Sequence, residues 1–204
     1  NSTMMFTDNF NDDEYVSDWV LSVGSPVMEN GKIKTSNGNP ERLWLTQGSN
    51  WSNYAISAKF TLPTDDITKE VGLLGRVNTS STYYVAEYKY DKSTNTEKAS
   101  LRRKVNGAFL ADLTFDFALN KALLEHTMKA TFEGDRIKLY IDDLLAFDVV
   151  DATLTTGTVG IFSVLTPVYF DDFKVELLKG VSQPVGTNLS TTNGTSTVVF
   201  DKVE

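Results

Sequence analysis

Two aspartates stand where apolar residues belong. With the period of two of a β-strand, Phe6 and Phe10 share a face, and Asp8 lies between them. Tyr169, Phe173, Val175 and Leu177 share another face, and the same period places Asp171 on it. A carboxylate aimed at an apolar interior needs a partner or a shifted pKa. Terminal strands of sandwiches often lie side by side, which would bring Asp8 and Asp171 together. Two carboxylates in one place repel unless a cation sits between them. Calcium, which takes about 6–8 oxygens, fits that need in a structural role, locking the two chain ends together. The alternative is that these aspartates accept backbone N–H groups at strand ends, or that Asp172 points inward instead.

A second group has the chemistry of sugar recognition. Arg76 ends the apolar run Val71-Gly72-Leu73-Leu74-Gly75. Tyr83, Tyr84, Glu87, Tyr88 and Tyr90 crowd the next stretch, and Arg102, Arg103 and Lys104 the one after. Tyr84, Tyr88 and Tyr90 fall on one face, Tyr83, Glu87 and Lys89 on the other. Aromatic rings stack on pyranose faces, charged side chains hydrogen-bond hydroxyls, and Arg pairs bidentately with a uronate carboxylate. Arg76, Tyr84, Glu87, Tyr88 and Arg102 are therefore candidate ligand-binding residues. The competing reading has the tyrosines filling a core and the charges pairing across strands, Glu87 with Arg102 or Arg103. Trp19 and Trp51 are expected in the core. Trp44 joins the candidates, because Leu43 and Leu45 face opposite to it.

Composition removes other chemistries. The 204-residue chain has no cysteine, so disulfides, thiolate metal sites and cysteine nucleophiles are absent. Its one histidine, His126, rules out a multi-histidine centre within the chain and shares a face with Met128, Ala130 and Phe132, as a core or rim residue does. A net charge of −8 argues against a nucleic-acid partner. No apolar run is long enough to insert in a membrane; no signal-peptide pattern is visible, and the abrupt Asn1-Ser2-Thr3 start also fits a trimmed mature end or an arbitrary boundary within a longer chain. Sequons at Asn1, Asn50, Asn78, Asn188 and Asn193 carry little weight in so Asn-, Ser- and Thr-rich a chain.

The elements that must position these residues read as strands almost throughout. Alternating stretches run from Asn53 to Leu62, Glu70 to Val77, Thr82 to Tyr90, Ala99 to Val105 and Ala108 to Leu113. Others run from His126 to Phe132, Arg136 to Ile141, Leu145 to Val149, Thr158 to Ser163 and Val168 to Leu177. Asn30-Gly31, Asn106-Gly107 and Glu133-Gly134-Asp135 supply hairpin turns. Only Leu119 to His126 hints at a helical turn. Many short strands at such spacing predict an all-β, two-sheet antiparallel sandwich or jelly roll. Residues 1–179 form the expected domain. Residues 180–204 read as a Ser/Thr/Asn/Gly-rich linker, with Val198, Val199 and Phe200 available for one short terminal strand.

Four motifs carry a resemblance. They are Phe6-Thr7-Asp8-Asn9-Phe10-Asn11-Asp12 with Trp19 and Gly24, then Trp51-Ser52-Asn53-Tyr54-Ala55-Ile56-Ser57-Ala58. Gly72-Leu73-Leu74-Gly75-Arg76-Val77 followed by Tyr83-Tyr84 is the third, and Val168-Tyr169-Phe170-Asp171-Asp172-Phe173-Lys174-Val175 the most specific. Together they resemble concanavalin A-like (laminin-G-like) jelly-roll modules of carbohydrate-binding type, over roughly Phe6 to Leu178. The resemblance implies two packed antiparallel sheets, calcium near the paired termini through Asp8 and Asp171, and glycan contact through Arg76 and the tyrosine strand after it. It further implies an extracellular or cell-surface setting beside neighbouring modules of one chain. Retaining glucanases of this superfamily carry a Glu-x-Asp-x-(x)-Glu strand, and no such strand is present; Asp142-Asp143 and Asp171-Asp172 differ from it. The alginate-type lyases use a Gln-x-His pair, which His126 lacks, and a Tyr-x-Lys-x-Gly-x-Tyr strand, of which Tyr88-Lys89-Tyr90 keeps little. The leading expectation is a non-catalytic module binding polysaccharide or adhering to it. A lyase or hydrolase of the same fold, and a structural or protein-binding spacer of a surface protein, are the alternatives.

Overall fold

Alternation builds the sheets. In the segment Tyr54–Thr61, the side chains of Tyr54, Ile56, Ala58 and Phe60 are buried, while Ser57, Lys59 and Thr61 stay partly exposed. The computed structural model describes residues 2–11, 18–178 and 198–200, and among them there is no helix. One sheet contains β1 (Ser2–Asp8), β3 (Val27–Glu29), β4 (Lys32–Lys34), β6 (Tyr54–Thr61), β12 (Glu125–Glu133), β13 (Arg136–Ile141), β14 (Leu144–Val150), β16 (Tyr169–Leu178) and β17 (Val198–Phe200). Its order is β14-β13-β12-β6-β16-β1-β17, with β4 also pairing β16 and β3. The other contains β2 (Trp19–Val23), β5 (Glu41–Leu45), β7 (Lys69–Thr79), β8 (Thr82–Asp91), β9 (Thr96–Val105), β10 (Ala108–Phe109), β11 (Leu113–Asp116) and β15 (Thr158–Val164). Its order is β10-β9-β8-β7-β15-β5-β2, with β11 also on β9.

The two sheets pack as an antiparallel sandwich, the jelly-roll class that the alternation predicts. Phe6, Trp19, Leu43, Trp51, Ile56, Leu73, Tyr84, Leu101, Phe132 and Phe173 fill the space between them. Each large apolar side chain so buried contributes about 1.5–3 kcal/mol. The turn residues behave as their types require: Asn30 and Gly31, and Asn106 and Gly107, all have positive φ between paired strands. β1 pairs with β16, so the first strand and the strand closing the domain do lie side by side. Val198–Phe200 pairs with β1, and residues 179–197, which hold most of the expected linker, lie outside the described residues.

Three local expectations differ from the structure. Residues 119–124 form no helix; Lys121 and Ala122 make a turn, Asn120 Oδ1 accepts the Ala122 N–H at 3.1 Å, and β12 then begins at Glu125. The stretch Ala108 to Leu113 is broken into β10 and β11. The third difference changes the site. β16 carries a bulge between Asp171 and Lys174, with Asp172 at φ +48°. The extra residue shifts the alternation by one, so Phe170 and not Asp171 takes the inward place beside Phe173.

The β10-β9-β8-β7-β15-β5-β2 sheet is unusual in being buried on both faces at its centre. Its outer face carries a second apolar cluster of Leu74, Val77, Tyr83, Val85, Phe162 and Val164, with Trp44 packed against it. An antiparallel sheet commonly leaves one face to water. Here that face also carries the long charged side chains of Arg42, Glu70, Glu87 and Arg102.

Candidate functional site

The register across this sheet lays its outward residues out in rows. Val20, Trp44, Gly160, Leu74, Val85 and Arg102 stand opposite one another from β2 to β9. The next row runs Arg42, Phe162, Gly72, Glu87 and Ser100. Glu70 and Lys89 form the third. Gly160 is needed where it is: a Cβ there would come within 1.9 Å of the Leu43 carbonyl oxygen.

Charge concentrates at the β8–β9 side of that face. Arg102 lies over the exposed ring of Phe109, with its guanidinium carbon 4.1 Å from the centroid. Three carboxylates surround it: Asp112 at 3.4 Å, and Glu70 and Glu87 at 3.8 Å each. Burial lowers the guanidinium's affinity for its proton, but these carboxylates outweigh it and hold the pKa above the ordinary value. Glu70 also faces Lys89 at 3.6 Å. Glu87 is fully buried, and neither carboxyl oxygen has a hydrogen-bond partner among the described residues. Burial, helped by the neighbouring Glu70 and opposed by Arg102, pushes its carboxyl well above the usual carboxylate range. Further along, Arg42 Nη1 donates to Tyr83 Oη and to the Ser80 carbonyl, both at 2.8 Å. Lys104 lies 5.3 Å from the Phe109 ring, its pKa lowered by burial and by Arg42 and Arg102.

The candidates from the sequence divide between this face and the interior. Trp44, Glu87 and Arg102 share the outer face, where Glu87 and Arg102 are neighbours and Trp44 stands toward the other end of the Arg102 row. Arg76, Tyr84 and Tyr88 do not. Arg76 sits at a bulge in β7, where the register against β15 slips by one residue between Leu74 and Val77, with φ +43°. That extra residue turns its side chain into the sandwich, where it is buried. Its guanidinium donates to Ser52 O (3.3 and 2.9 Å), Leu154 O (2.8 Å) and Gly134 O (2.5 Å), and lies over the Phe132 ring. Every guanidinium nitrogen is therefore spent on main-chain carbonyls of three loops, and Arg76 is a scaffold residue rather than a ligand contact. Tyr84 faces the same interior and donates to Asp151 Oδ1 at 2.5 Å; burial and that bond push its phenol up to about 12. Burial would also raise Asp151, yet hydrogen bonds from Tyr84, Thr153 and Arg103 hold its carboxyl below the ordinary value. Tyr88 points inward and donates to Glu97 Oε1 at 2.7 Å.

The pair expected to hold calcium does not fit. Asp8 is buried on the inner face, directly opposite Phe173. Its Oδ1 accepts the Phe10 N–H at 2.8 Å and its Oδ2 the Trp19 indole N–H at 2.9 Å. Asp171, displaced by the bulge, stands opposite Lys59 on the partly exposed outer face and accepts the Asp172 N–H at 2.8 Å. The two carboxylates occupy opposite faces of one sheet, so no single ion lies between them. Among the described residues no three of His, Asp and Glu converge on a metal position. Sequence reasoning also passed over Arg42, Glu70 and Phe109, although Arg42 is two residues from Trp44 and so shares its face.

No family model and no curated protein sequence matches the chain. Solved structures do. A carbohydrate-binding module, CBM66 from Bacillus subtilis, superposes with a TM-score of 0.64 at 17% identity, covering 78% of this chain and 96% of that one. A β-glucanase from Bacillus licheniformis gives 0.61 at 13%, covering 86% and 98%. The GH43 protein BlXynB from Bacillus licheniformis gives 0.65 at 16%, covering 84% of this chain but only 39% of its own length. The fold is the concanavalin A-like jelly roll. At such identities the likeness concerns the backbone, and the residues on the outer face must make the functional argument themselves.

Proposed function

We propose that this domain binds polysaccharide on the outer face of the β10-β9-β8-β7-β15-β5-β2 sheet without cleaving it, outside the cell where intact polysaccharides are met. One observation carries the reading: Trp44 and the Arg102–Phe109 contact stand toward the two ends of one row of outward residues, with the apolar Leu74 and Val85 between them and a cluster of charged groups beside them. Rings at its two ends suit the C–H faces of sugar units, and the cluster suits their hydroxyls. The likeness in fold to the carbohydrate-binding module of Bacillus subtilis supports the same conclusion.

A hydrolase is the second reading, and one observation favours it. Glu70 and Glu87 come from adjacent strands onto one face, with Glu87 biased toward its protonated form, as an acid–base pair requires. Against it, Glu87 has no surface through which to reach a glycosidic oxygen. Affinity electrophoresis through gels of neutral and acidic polysaccharides, followed by an assay for new reducing ends, separates the two. Retardation that Trp44→Ala weakens, with no chain shortening, is the expected result. Chain shortening that Glu87→Gln abolishes makes the domain an enzyme; no retardation in any gel leaves a structural or protein-binding module.

A further inference from the structure

We propose that a second saccharide site lies in the cleft at the open end of the sandwich, and that it takes the end of a neutral chain, one or two sugar units deep. The cleft encloses about 440 Å³, within the range of small-molecule pockets. It lies between the sheets, since β8 supplies Tyr88 and Tyr90 to it and, from its opposite face, Glu87 and Lys89 to the outer surface. His126 of β12 closes the other wall. The site does not depend on the outer-face reading.

The charged groups of the cleft are already paired. Lys69 Nζ donates to the Asp65 carbonyl at 2.7 Å and lies 3.3 Å from its carboxylate. Tyr90 Oη donates to Asp66 Oδ1 at 2.6 Å. Lys121 lies 3.8 Å from Glu97. Two ammonium groups and two carboxylates line the cleft, so a charged ligand finds no uncompensated partner. A hydroxyl does find one, because a carboxylate that accepts one bond retains other lone pairs. The remaining wall is apolar. Leu123 and Leu124, 43% and 79% exposed, stand at the rim, and Leu62 and Leu119 lie deeper. Apolar rings and leucines beside carboxylates and ammonium groups match the two-sided chemistry of a sugar: C–H faces and hydroxyl edges. The far wall is rigid, since His126 Nδ1 is held by Asp142 Oδ2 at 2.8 Å and the imidazole stacks on Phe60.

His126 is the single histidine of the chain, so its imidazole NMR signals report on the cleft without assignment. Trp44 fluorescence reports on the outer face, because Trp19 and Trp51 are buried. The probes are xylobiose, cellobiose and laminaribiose, with galacturonic acid as the anionic control. A saturable shift of the His126 signals with a neutral disaccharide is expected, with no change in the titration for Trp44→Ala. Asp66→Asn and Lys121→Ala, both at exposed side chains, should each weaken it about tenfold or more. The proposal is overturned if no neutral disaccharide moves the His126 signals at tens of millimolar, or if galacturonic acid moves them at lower concentration. It is also overturned if Trp44→Ala abolishes the shift, which would mean a single site on the outer face.

Discussion

Replacing Arg76 by Met decides between its two roles. Met keeps the apolar stem and removes the guanidinium, leaving the carbonyls of Ser52, Gly134 and Leu154 without their donor. A hydrogen bond involving a charged group nets about 1.5–3 kcal/mol. Three loops lose such a bond, and water can reach some loop carbonyls, so the lower end applies: about 4–5 kcal/mol. Against a typical stability of about 5–15 kcal/mol, that is a large fraction of the whole. At about 2–4 °C per kcal/mol for a domain of this size, Tm should fall by about 8–20 °C. Differential scanning calorimetry measures it, and affinity electrophoresis below the lowered Tm should show polysaccharide retardation unchanged for the molecules still folded. A variant that keeps its Tm and loses retardation would refute the reasoning and return Arg76 to the binding surface.

Glu87 makes stability depend on pH. Its carboxyl holds its proton more tightly in the folded state than in the unfolded chain, so stability falls as pH rises from the unfolded pKa through the folded one. Glu87→Gln removes that loss. Denaturant titrations should show the variant gaining on the parent as pH rises above about 4, and a difference independent of pH would refute the assignment. Asp8→Ala strands the Phe10 N–H and the Trp19 indole N–H in the interior and should cost about 2–4 kcal/mol. Asp171→Ala, on the partly exposed face, should stay within about 0.5 kcal/mol. Equal losses for the two, restored together by calcium in a melting assay, would reinstate the shared ion.

The division of β8 into inward Tyr84, Tyr88 and Tyr90 and outward Tyr83, Glu87 and Lys89 was legible before any coordinates, because an unbroken strand keeps its period of two. So was the outward turn of Trp44 between Leu43 and Leu45. Tyr84 and Tyr88 leave the site because their face of β8 turns inward, whereas Arg76 and Asp171 fail for another, shared physical reason. Each lies at a β-bulge beside or at a residue with positive φ, Arg76 itself and Asp172. A single added residue reverses which face every residue beyond it occupies. Neither Gly75-Arg76-Val77 nor Asp171-Asp172-Phe173 announces a bulge by composition.

The sequence by itself determined the all-β class, the strands, the Asn-Gly turns and the exclusion of cysteine and multi-histidine chemistry, since these follow from local periodicity and residue type. Only the tertiary structure decided which candidates meet. It brought Glu70, Glu87, Arg102 and Phe109 together from β7 to β10, and it set Asp8 and Asp171 on opposite faces of one sheet. Those outcomes depend on register and on where a strand bulges. Both are settled by how the sheets pack against each other, and no local stretch of residues encodes them.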